Sequence, residues 1–482
     1  MAARDGAAYL AGLRDEREIW IDGERVADVT TEPRLGRGAR TIAGLYDLQC
    51  RPDVVEEMTY CSPSSGEPVG LSFIEPRSLD DLVRRREMFR RWADYGCGML
   101  GRAPDFLNAL VMGLAANRDY FARGGAEYGE RIVAYYEYCR ERDLCLTHTF
   151  VTPQRDRSEG LQADDKNDIS LRIVDENAEG MVVRGARILA TLAPYSDELL
   201  VLPAPSKSYA GEFSPQALAL AVRVATPGLK FICRESFDIG RSAYDHPLGS
   251  RFEEMDAIAI FEDVLVPWER VFIRGDAALC GNLFRHTNAF THAIHQFMIK
   301  NLVKAELVLG VATLICQTIK TDQHLHVQGM LGEMVDIVEA IRAFVRAAEA
   351  DAEPDPNGIY VPRSETLLSA RNYFPKIYPR MVEMLQLLGS SGLMAIPSEA
   401  NLQSEVADDV ETYFQSATLG GRERVRLFRL AWDIACSSFG QRQVLYERYF
   451  GGDPLRNLSG RYLNYDKSRA VGLVHDLLER EA

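Results

Sequence analysis

The hydrophobic period of this chain switches twice, and those two switches restrict its fold more than any single motif does. Across residues 78–138 apolar positions recur every three to four residues, as in Leu79-Asp-Asp-Leu-Val-Arg-Arg-Arg-Glu-Met-Phe89. That is the period of a helix with one buried face. Pro104-Asp105 opens a further helical stretch over 107–120, with proline in the first turn, where its missing N–H costs nothing. Near Leu144 the period shortens. Arg172-Ile-Val174, Met181-Val-Val-Arg-Gly-Ala-Arg187 and residues 199–202, 217–225, 230–233 and 257–261 read as short strands between turns such as 177–180 and Thr226-Pro-Gly228. After about Gly275 the helical period returns, over 297–320 and 327–350, then over 380–388 and 423–448 beyond a polar break at 351–361. The segment up to Tyr46 reads as a short helix and a β-turn at Asp22-Gly23. Separate runs of helices, strands and helices imply an α+β chain with segregated units. The expected domains are a mainly helical N-terminal one (1–145), a compact barrel-like β-domain (146–274) and a C-terminal helical bundle (275–482).

At 482 residues the chain exceeds what one small core organises. Its net charge of −15 argues against a nucleic-acid partner and against an acidic membrane surface. Uncharged apolar runs fall far short of a membrane span, and residues 1–12 lack the basic flank and apolar block of a secretory signal. A soluble cytoplasmic enzyme is expected. The nine cysteines form no CxxC pair and no zinc-finger spacing, so they are expected reduced and mostly buried. Cys139 and Cys145, six apart, do not share a helical face, and no metal site is expected.

No GxGxxG follows a strand, no GxxxxGK[ST] occurs and no GxSxG elbow is present. Nicotinamide-binding Rossmann domains, P-loop enzymes and common serine hydrolases are thereby disfavoured. Two short stretches carry more. In Gly98-Met-Leu-Gly-Arg-Ala-Pro-Asp-Phe106 a tight turn presents Arg102, either a solvated loop arginine or a fixed guanidinium for an anion or phenolic oxygen. In Leu146-Thr-His148-Thr-Phe-Val-Thr-Pro-Gln154 an imidazole lies inside an apolar strand, either a satisfied core histidine or a base working near neutral pH. The following Gln154-Arg155-Asp156-Arg157 offers hydrogen bonds for a heteroaromatic edge and cations for phosphates. Gln386-Leu-Leu-Gly389-Ser390-Ser391-Gly392 is either a helix C-cap or a loop whose N–H groups approach a pyrophosphate. His292 and His295 share one helical face, with no acid nearer along it than Glu306. They read as packing or a pocket wall rather than a metal pair.

Taken in order, these stretches resemble the oxygenase component of the 4-hydroxyphenylacetate 3-monooxygenase family. The likeness also runs through Val183-Arg-Gly-Ala-Arg187, Asp245-His-Pro-Leu-Gly-Ser-Arg-Phe-Glu-Glu-Met-Asp256, Val264-Leu-Val-Pro-Trp-Glu-Arg-Val-Phe272, Leu309-Gly-Val-Ala312 and Ser391-Gly-Leu393. It continues through Leu430-Ala-Trp-Asp433, Phe439-Gly-Gln-Arg-Gln443 and Leu445-Tyr-Glu-Arg448, covering nearly the whole chain. The resemblance implies an acyl-CoA dehydrogenase-like fold and homotetramers or homodimers built through the C-terminal helices. It implies ortho-hydroxylation of a phenol by reduced FAD (or FMN) and O2 through a C4a-hydroperoxyflavin, with the flavin supplied by a separate NAD(P)H:flavin reductase. Arg102 and His148 then contact the phenolic oxygen. Flavin contacts fall on His148, Gln154, Arg155, Asp156, Arg157 and Thr191, and adenine-side contacts on Gln386, Gly389 and Ser390, from the same or a neighbouring subunit. His292 joins the pocket wall.

Two departures from the family pattern bear on substrate. Four residues after the arginine the hydroxyphenylacetate enzymes carry a tyrosine, and here stands Phe106. Where they hold the substrate carboxylate with Ser-Thr, alignment on the strand at 199–203 gives Ala204-Pro205, with Lys207 and Ser208 nearby. A phenol other than 4-hydroxyphenylacetate is expected, either free or tethered to a carrier protein in a biosynthetic pathway. The alternatives are a same-fold flavoprotein resembling 4-hydroxybutyryl-CoA dehydratase or an acyl-CoA dehydrogenase, or a non-catalytic flavin- or carrier-binding homologue. The dehydratase reading lacks its cluster thiolates, because Gly101 follows Cys97 by four and Ile299 follows His292 by seven.

Overall fold

Asp22 and Gly23 both take positive φ, 53° and 81°, and fold the first strands back on each other, as a two-residue hairpin with right-handed strand twist requires. The computed structural model describes residues 3–153, 169–203, 209, 211–238 and 240–480. The first segment contains α1 (Gly6–Gly12), β1 (Glu18–Ile21), β2 (Glu24–Arg25), α2 (Gly36–Gln49), α3 (Val55–Met58), β3 (Thr59–Cys61) and β4 (Pro68–Gly70). It continues with α4 (Leu79–Tyr95), α5 (Pro104–Ala116), α6 (Arg118–Ala122) and α7 (Ala126–Arg142). The middle segment contributes β5 (Leu146–Thr149), β6 (Arg172–Glu176), β7 (Gly180–Thr191), β8 (Glu198–Val201), β9 (Phe213–Arg223), β10 (Leu229–Cys233), β11 (Asp256–Pro267) and β12 (Val271–Asp276). The last contains α8 (Ala277–His286), α9 (Ala289–Thr318), α10 (Leu325–Ala350), the hairpin β13 (Glu353–Pro354) and β14 (Tyr360–Val361), and α11 (Ser364–Gly389). It ends with α12 (Ala407–Tyr413), α13 (Gly421–Ala435), α14 (Ser438–Tyr449), α15 (Pro454–Asn464) and α16 (Ser468–Leu478).

The middle strands form a six-stranded sheet ordered β2-β1-β10-β11-β7-β6 and a four-stranded sheet ordered β12-β9-β8-β5. Within them, β1 joins β10 in parallel and β5 joins β8 in parallel. The first segment is thus not purely helical: its hairpin extends the central sheet. Strand β8 and the second half of β9 are buried on both faces, which explains their unbroken apolar runs.

Helix α9 is the axis of the last segment, with α4, α5, α10, α11 and α13 packed along it. Helix α11 runs unbroken through Pro375 and Pro379 from Ser364, whereas the sequence pattern suggested a helix only after the second proline. Burial of Leu367, Ala370, Phe374, Tyr378 and Met381 outweighs the backbone bonds and packing lost at each ring, about 3 kcal/mol apiece. The stretch 423–448, expected as one helix, is broken at Cys436-Ser437. There Ser437 caps α14 by accepting from the Gly440 N–H, and a Cβ on Gly440 would lie 2.3 Å from the Ile434 carbonyl oxygen. No helix among the described residues is long and apolar enough to cross a membrane.

Candidate functional site

The turn carrying Arg102 is held between two helices. Gly98 has φ +67°, and a Cβ there would lie 2.5 Å from the Lys304 backbone nitrogen of α9. A Cβ on Gly101 would fall 2.2 Å from the Tyr446 hydroxyl of α14. Only glycine permits both approaches. Helices α9 and α14 are themselves joined by Glu447, which accepts from Lys300 at 2.6 Å and Lys304 at 2.5 Å. Pro104 then starts α5 at its first turn, as its fixed φ favours.

Arg102 is buried, at 8% exposure. Its Nη1 donates to the Tyr446 hydroxyl at 3.1 Å. The guanidinium carbon lies 3.7 Å from the Phe450 ring centroid and 4.4 Å from that of Phe106, an arrangement arginine favours through cation–π attraction. Nε has no hydrogen-bond partner among the described residues, and no carboxylate among them pairs with the guanidinium. Burial, opposed by Tyr446 and Glu254 and reinforced by Arg442, draws its pKa below the usual arginine value.

His148 sits in β5, opposite Leu200 of β8, at 4% exposure. Its ring centroid is 5.9 Å from that of Phe106 and 4.2 Å from that of Phe150. Neither ring nitrogen has a hydrogen-bond partner among the described residues. Burial, and after it the Arg102 cation, pushes its pKa well below the ordinary histidine range. The imidazole is therefore neutral at neutral pH, with one N–H to donate and one lone pair to accept.

A polar frame connects the arginine turn to the histidine strand. The Arg102 backbone N–H donates to Glu254, whose other oxygen accepts from Arg442 Nη1 at 2.9 Å. Arg442 also donates to both oxygens of Asp256, at 2.7 and 3.0 Å. Asp256 accepts from the Thr191 hydroxyl at 2.6 Å, and the Thr191 carbonyl accepts from the Thr147 hydroxyl at 2.5 Å, one residue before His148. Burial alone would raise the Asp256 carboxyl. Arg442 and Arg234 outweigh it and hold the group well below the usual carboxylate range.

The structure thus brings Arg102, Phe106, His148 and Thr191 together. His292 lies elsewhere on α9, fully buried, with Nδ1 3.1 Å from Arg85 Nη2. Nearby His295 Nε2 is 2.8 Å from Glu349. Gln386 donates to the Ala435 carbonyl at 2.6 Å, Gly389 closes α11, and Ser390 follows with φ 48°. No hydrogen bond or ring contact joins these three to Arg102 or His148. Gln154, Arg155, Asp156, Arg157, Ala204, Pro205, Lys207 and Ser208 lie outside the described residues. Among the described residues no three His, Cys, Asp or Glu side chains form a metal-holding group.

Sequence reasoning assigned no role to Glu254, Arg442, Tyr446 or Phe450. The last three follow one another at four-residue steps, which places them on one face where α14 ends. That spacing was the available signal, although it distinguishes no catalytic wall from ordinary packing.

The family model described as the 4-hydroxyphenylacetate 3-hydroxylase N terminal matches residues 5–273, and that described as its C terminal matches residues 280–479. The chain is 44% identical, over 99% of its length and 97% of the relative's, to the 4-hydroxyphenylacetate 3-monooxygenase oxygenase component of Geobacillus sp. (strain PA-9). It is 31% identical, over 93% of its length and 85% of the relative's, to the (3S)-3-amino-3-(3-chloro-4-hydroxyphenyl)propanoyl-[peptidyl-carrier protein SgcC2] monooxygenase of Streptomyces globisporus. Among solved structures it is similar to the oxygenase component of 4-hydroxyphenylacetate 3-monooxygenase complexed with FAD and 4-hydroxyphenylacetate. That match has a TM-score of 0.95, 42% identity and coverage of 99% of this chain and 98% of that one.

Proposed function

Because the chain belongs to the 4-hydroxyphenylacetate 3-hydroxylase family, we propose that it is the oxygenase of a two-component monooxygenase that hydroxylates a phenol beside its hydroxyl, using reduced FAD and O2. The observation that carries this reading is the buried pairing of a cation and a neutral imidazole, both with unsatisfied nitrogen, across the Phe106 ring. Buried polar groups seldom stay unpaired without reason, and a phenolic oxygen offers both an acceptor and a proton. Reduced flavin, when bound, supplies the electrons that activate O2 for transfer of one oxygen atom to the ring. Thr191 and His148, with Gln154, Arg155, Asp156 and Arg157, are the residues assigned to hold it, and Gln386, Gly389 and Ser390 are assigned to its adenine side.

The chain's own contribution is to make the phenol electron-rich and keep it dry. Neutral His148 accepts a hydrogen bond from the phenol hydroxyl at a ring nitrogen, and the Arg102 guanidinium stabilises the negative charge that builds on the phenolic oxygen. Such acid–base assistance contributes roughly 10²–10⁴-fold in rate. Tyr446 and Phe450 keep the guanidinium in place, while Phe106 and Phe150 wall the imidazole from water.

Phe106 brings no hydroxyl to the phenolic oxygen, and Ala204-Pro205 lacks the side-chain hydroxyls expected for 4-hydroxyphenylacetate. The substrate is accordingly a different phenol, free or carrier-tethered. The Streptomyces relative, named for a carrier-bound aminoacyl substrate, supports the second form. A separate NAD(P)H:flavin reductase is the partner that supplies reduced flavin. Exposed apolar side chains on α15 and α16, including Leu455, Leu463, Leu473 and Leu477, support a homodimer or homotetramer. Nine free cysteines support a reducing, cytoplasmic setting.

The test is a comparison of products. The protein, mixed with chemically reduced FAD, O2 and a panel of free and carrier-tethered phenols, is expected to yield a catechol. His148→Ala is expected to divert most of the oxygen consumed to hydrogen peroxide. Catechol yield per O2 unchanged in His148→Ala would remove the histidine from the mechanism.

A further inference from the structure

A small cavity lies against the turn that presents Arg102. Gly98 and Ala103 of the turn line it, with Trp92 of α4, Asp105 of α5, and Gln296 and Lys300 of α9. Every residue that lines it is buried. It leaves about 10 Å³ for the centre of a small molecule, the lower limit for holding one water.

The polar groups around this cavity are unmatched. Neither carboxyl oxygen of Asp105 has a hydrogen-bond partner among the described residues, and neither does Trp92 Nε1 or Gln296 Oε1. The Lys300 ammonium donates to Glu447 at 2.6 Å and to no other described residue, which leaves N–H groups to spare. Buried donors and acceptors rarely go unpaired, and here both kinds line one space. Burial raises the Asp105 carboxyl to about 7, opposed first by Gln296. Acid and carboxylate are therefore both populated near neutral pH. An anion in the cavity would meet Asp105, and a cation would meet Lys300. A water suits either form of the carboxyl, because it donates to a carboxylate and accepts from an acid.

The surroundings give the cavity its importance. Asp105 follows Arg102 by three residues, and Lys300 is fixed to Glu447, the residue after Tyr446. Tyr446 accepts from Arg102. A molecule that joins Asp105 to Lys300 closes a ring from Arg102 through Tyr446, Glu447, Lys300 and Asp105 back to the turn.

We propose that the cavity is a site for one ordered water, held between Asp105, Lys300 and Gln296, and that Asp105 is through it a positioning residue for the Arg102 guanidinium. The water accepts from Lys300 and donates to Asp105 and Gln296. It ties the start of α5 to α9, so that the turn before α5 does not shift away from Tyr446. The positioning role rests on the proposal that Arg102 contacts the phenolic oxygen, whereas the water site does not.

The experiment has two arms. High-resolution crystal structures of the wild type, Asp105→Asn and Asp105→Leu show whether the cavity is filled. Density for a water within about 3.2 Å of residue 105 and Lys300 is expected in the wild type and in Asp105→Asn. None is expected in Asp105→Leu, whose side chain has no polar atom. A wild-type cavity without that density overturns the site. The second arm measures catechol formed per O2 consumed by the same three proteins near neutral pH. Asp105→Leu is expected to fall about three- to ten-fold as the guanidinium loses its fixed position. Asp105→Asn, which keeps an acceptor for the water, is expected to retain most of the wild-type ratio. If Asp105→Leu does not fold, Gln296→Leu removes an acceptor from the other side of the cavity and is expected to lower the ratio in the same way. An unchanged ratio in the leucine variant, or an equal loss in Asp105→Asn, overturns the positioning role. Should the wild type yield no catechol from any phenol, the phenol reading fails, and the density still decides the water site.

Discussion

Arg102 donates to the hydroxyl of Tyr446 across 3.1 Å, although 344 positions separate them in the chain. The turn that presents the arginine comes before the sheets, and the helix that fixes it comes near the chain's end. Tyr446→Phe keeps the ring under Gly101 and removes only the acceptor. A stability loss of about 1 kcal/mol is expected, with catechol formed per O2 consumed falling roughly three- to ten-fold as the guanidinium loses its fixed position. Denaturant titration and product-to-oxygen stoichiometry check the two effects separately. A coupling ratio equal to the wild type would mean the hydroxyl does not position Arg102.

Arg442 bridges the two carboxylates, Glu254 and Asp256, that link the Arg102 turn to Thr191. Arg442→Gln leaves both acids without their shared cation inside the protein. Removing one partner of such a buried pair costs about 3–5 kcal/mol, so a large drop in denaturation midpoint is expected, together with weaker phenol binding. A variant as stable as the wild type would show the frame to be incidental.

The pH behaviour of His148 follows from its depressed pKa, caused first by burial and then by Arg102. The unfolded chain binds the proton near pH 6.5, whereas the folded site resists it to much lower pH. The stability contributed by the neutral, buried ring is therefore fully present above about pH 6.5 and is lost as pH falls through the window below it. Comparing wild type with His148→Phe by denaturant titration at about pH 8 and about pH 5.5 is expected to show the wild type losing ground at the lower pH. A pH-independent difference would mean that the imidazole titrates normally.

Much of this arrangement is legible in the sequence. The two changes of period marked helices, then strands, then helices, and the glycine-rich turn with Arg102 and the strand with His148 stood out by composition. Less legible was what depends on distant packing. The hairpin at Asp22-Gly23 gave no sign that β1 would pair with β10, because strand pairing leaves no local mark. Pro375 and Pro379 argued locally against the helix that tertiary burial sustains. Tyr446 and Phe450 drew no assignment from the sequence, since a residue's partner across 344 positions is not written beside it. His292 and His295 read as packing or a pocket wall, but their partners Arg85 and Glu349, which come from other helices, left no local mark.

This chain is expected to place one atom of O2 beside a phenolic hydroxyl. Incubation with reduced FAD, ¹⁸O2 and the panel of free and carrier-tethered phenols, followed by mass spectrometry of the product, reads out where that atom goes. A catechol with one ¹⁸O atom in the new hydroxyl is expected, with that product lost in Arg102→Ala. Label-free catechol, or peroxide with no catechol from any phenol offered, would contradict it.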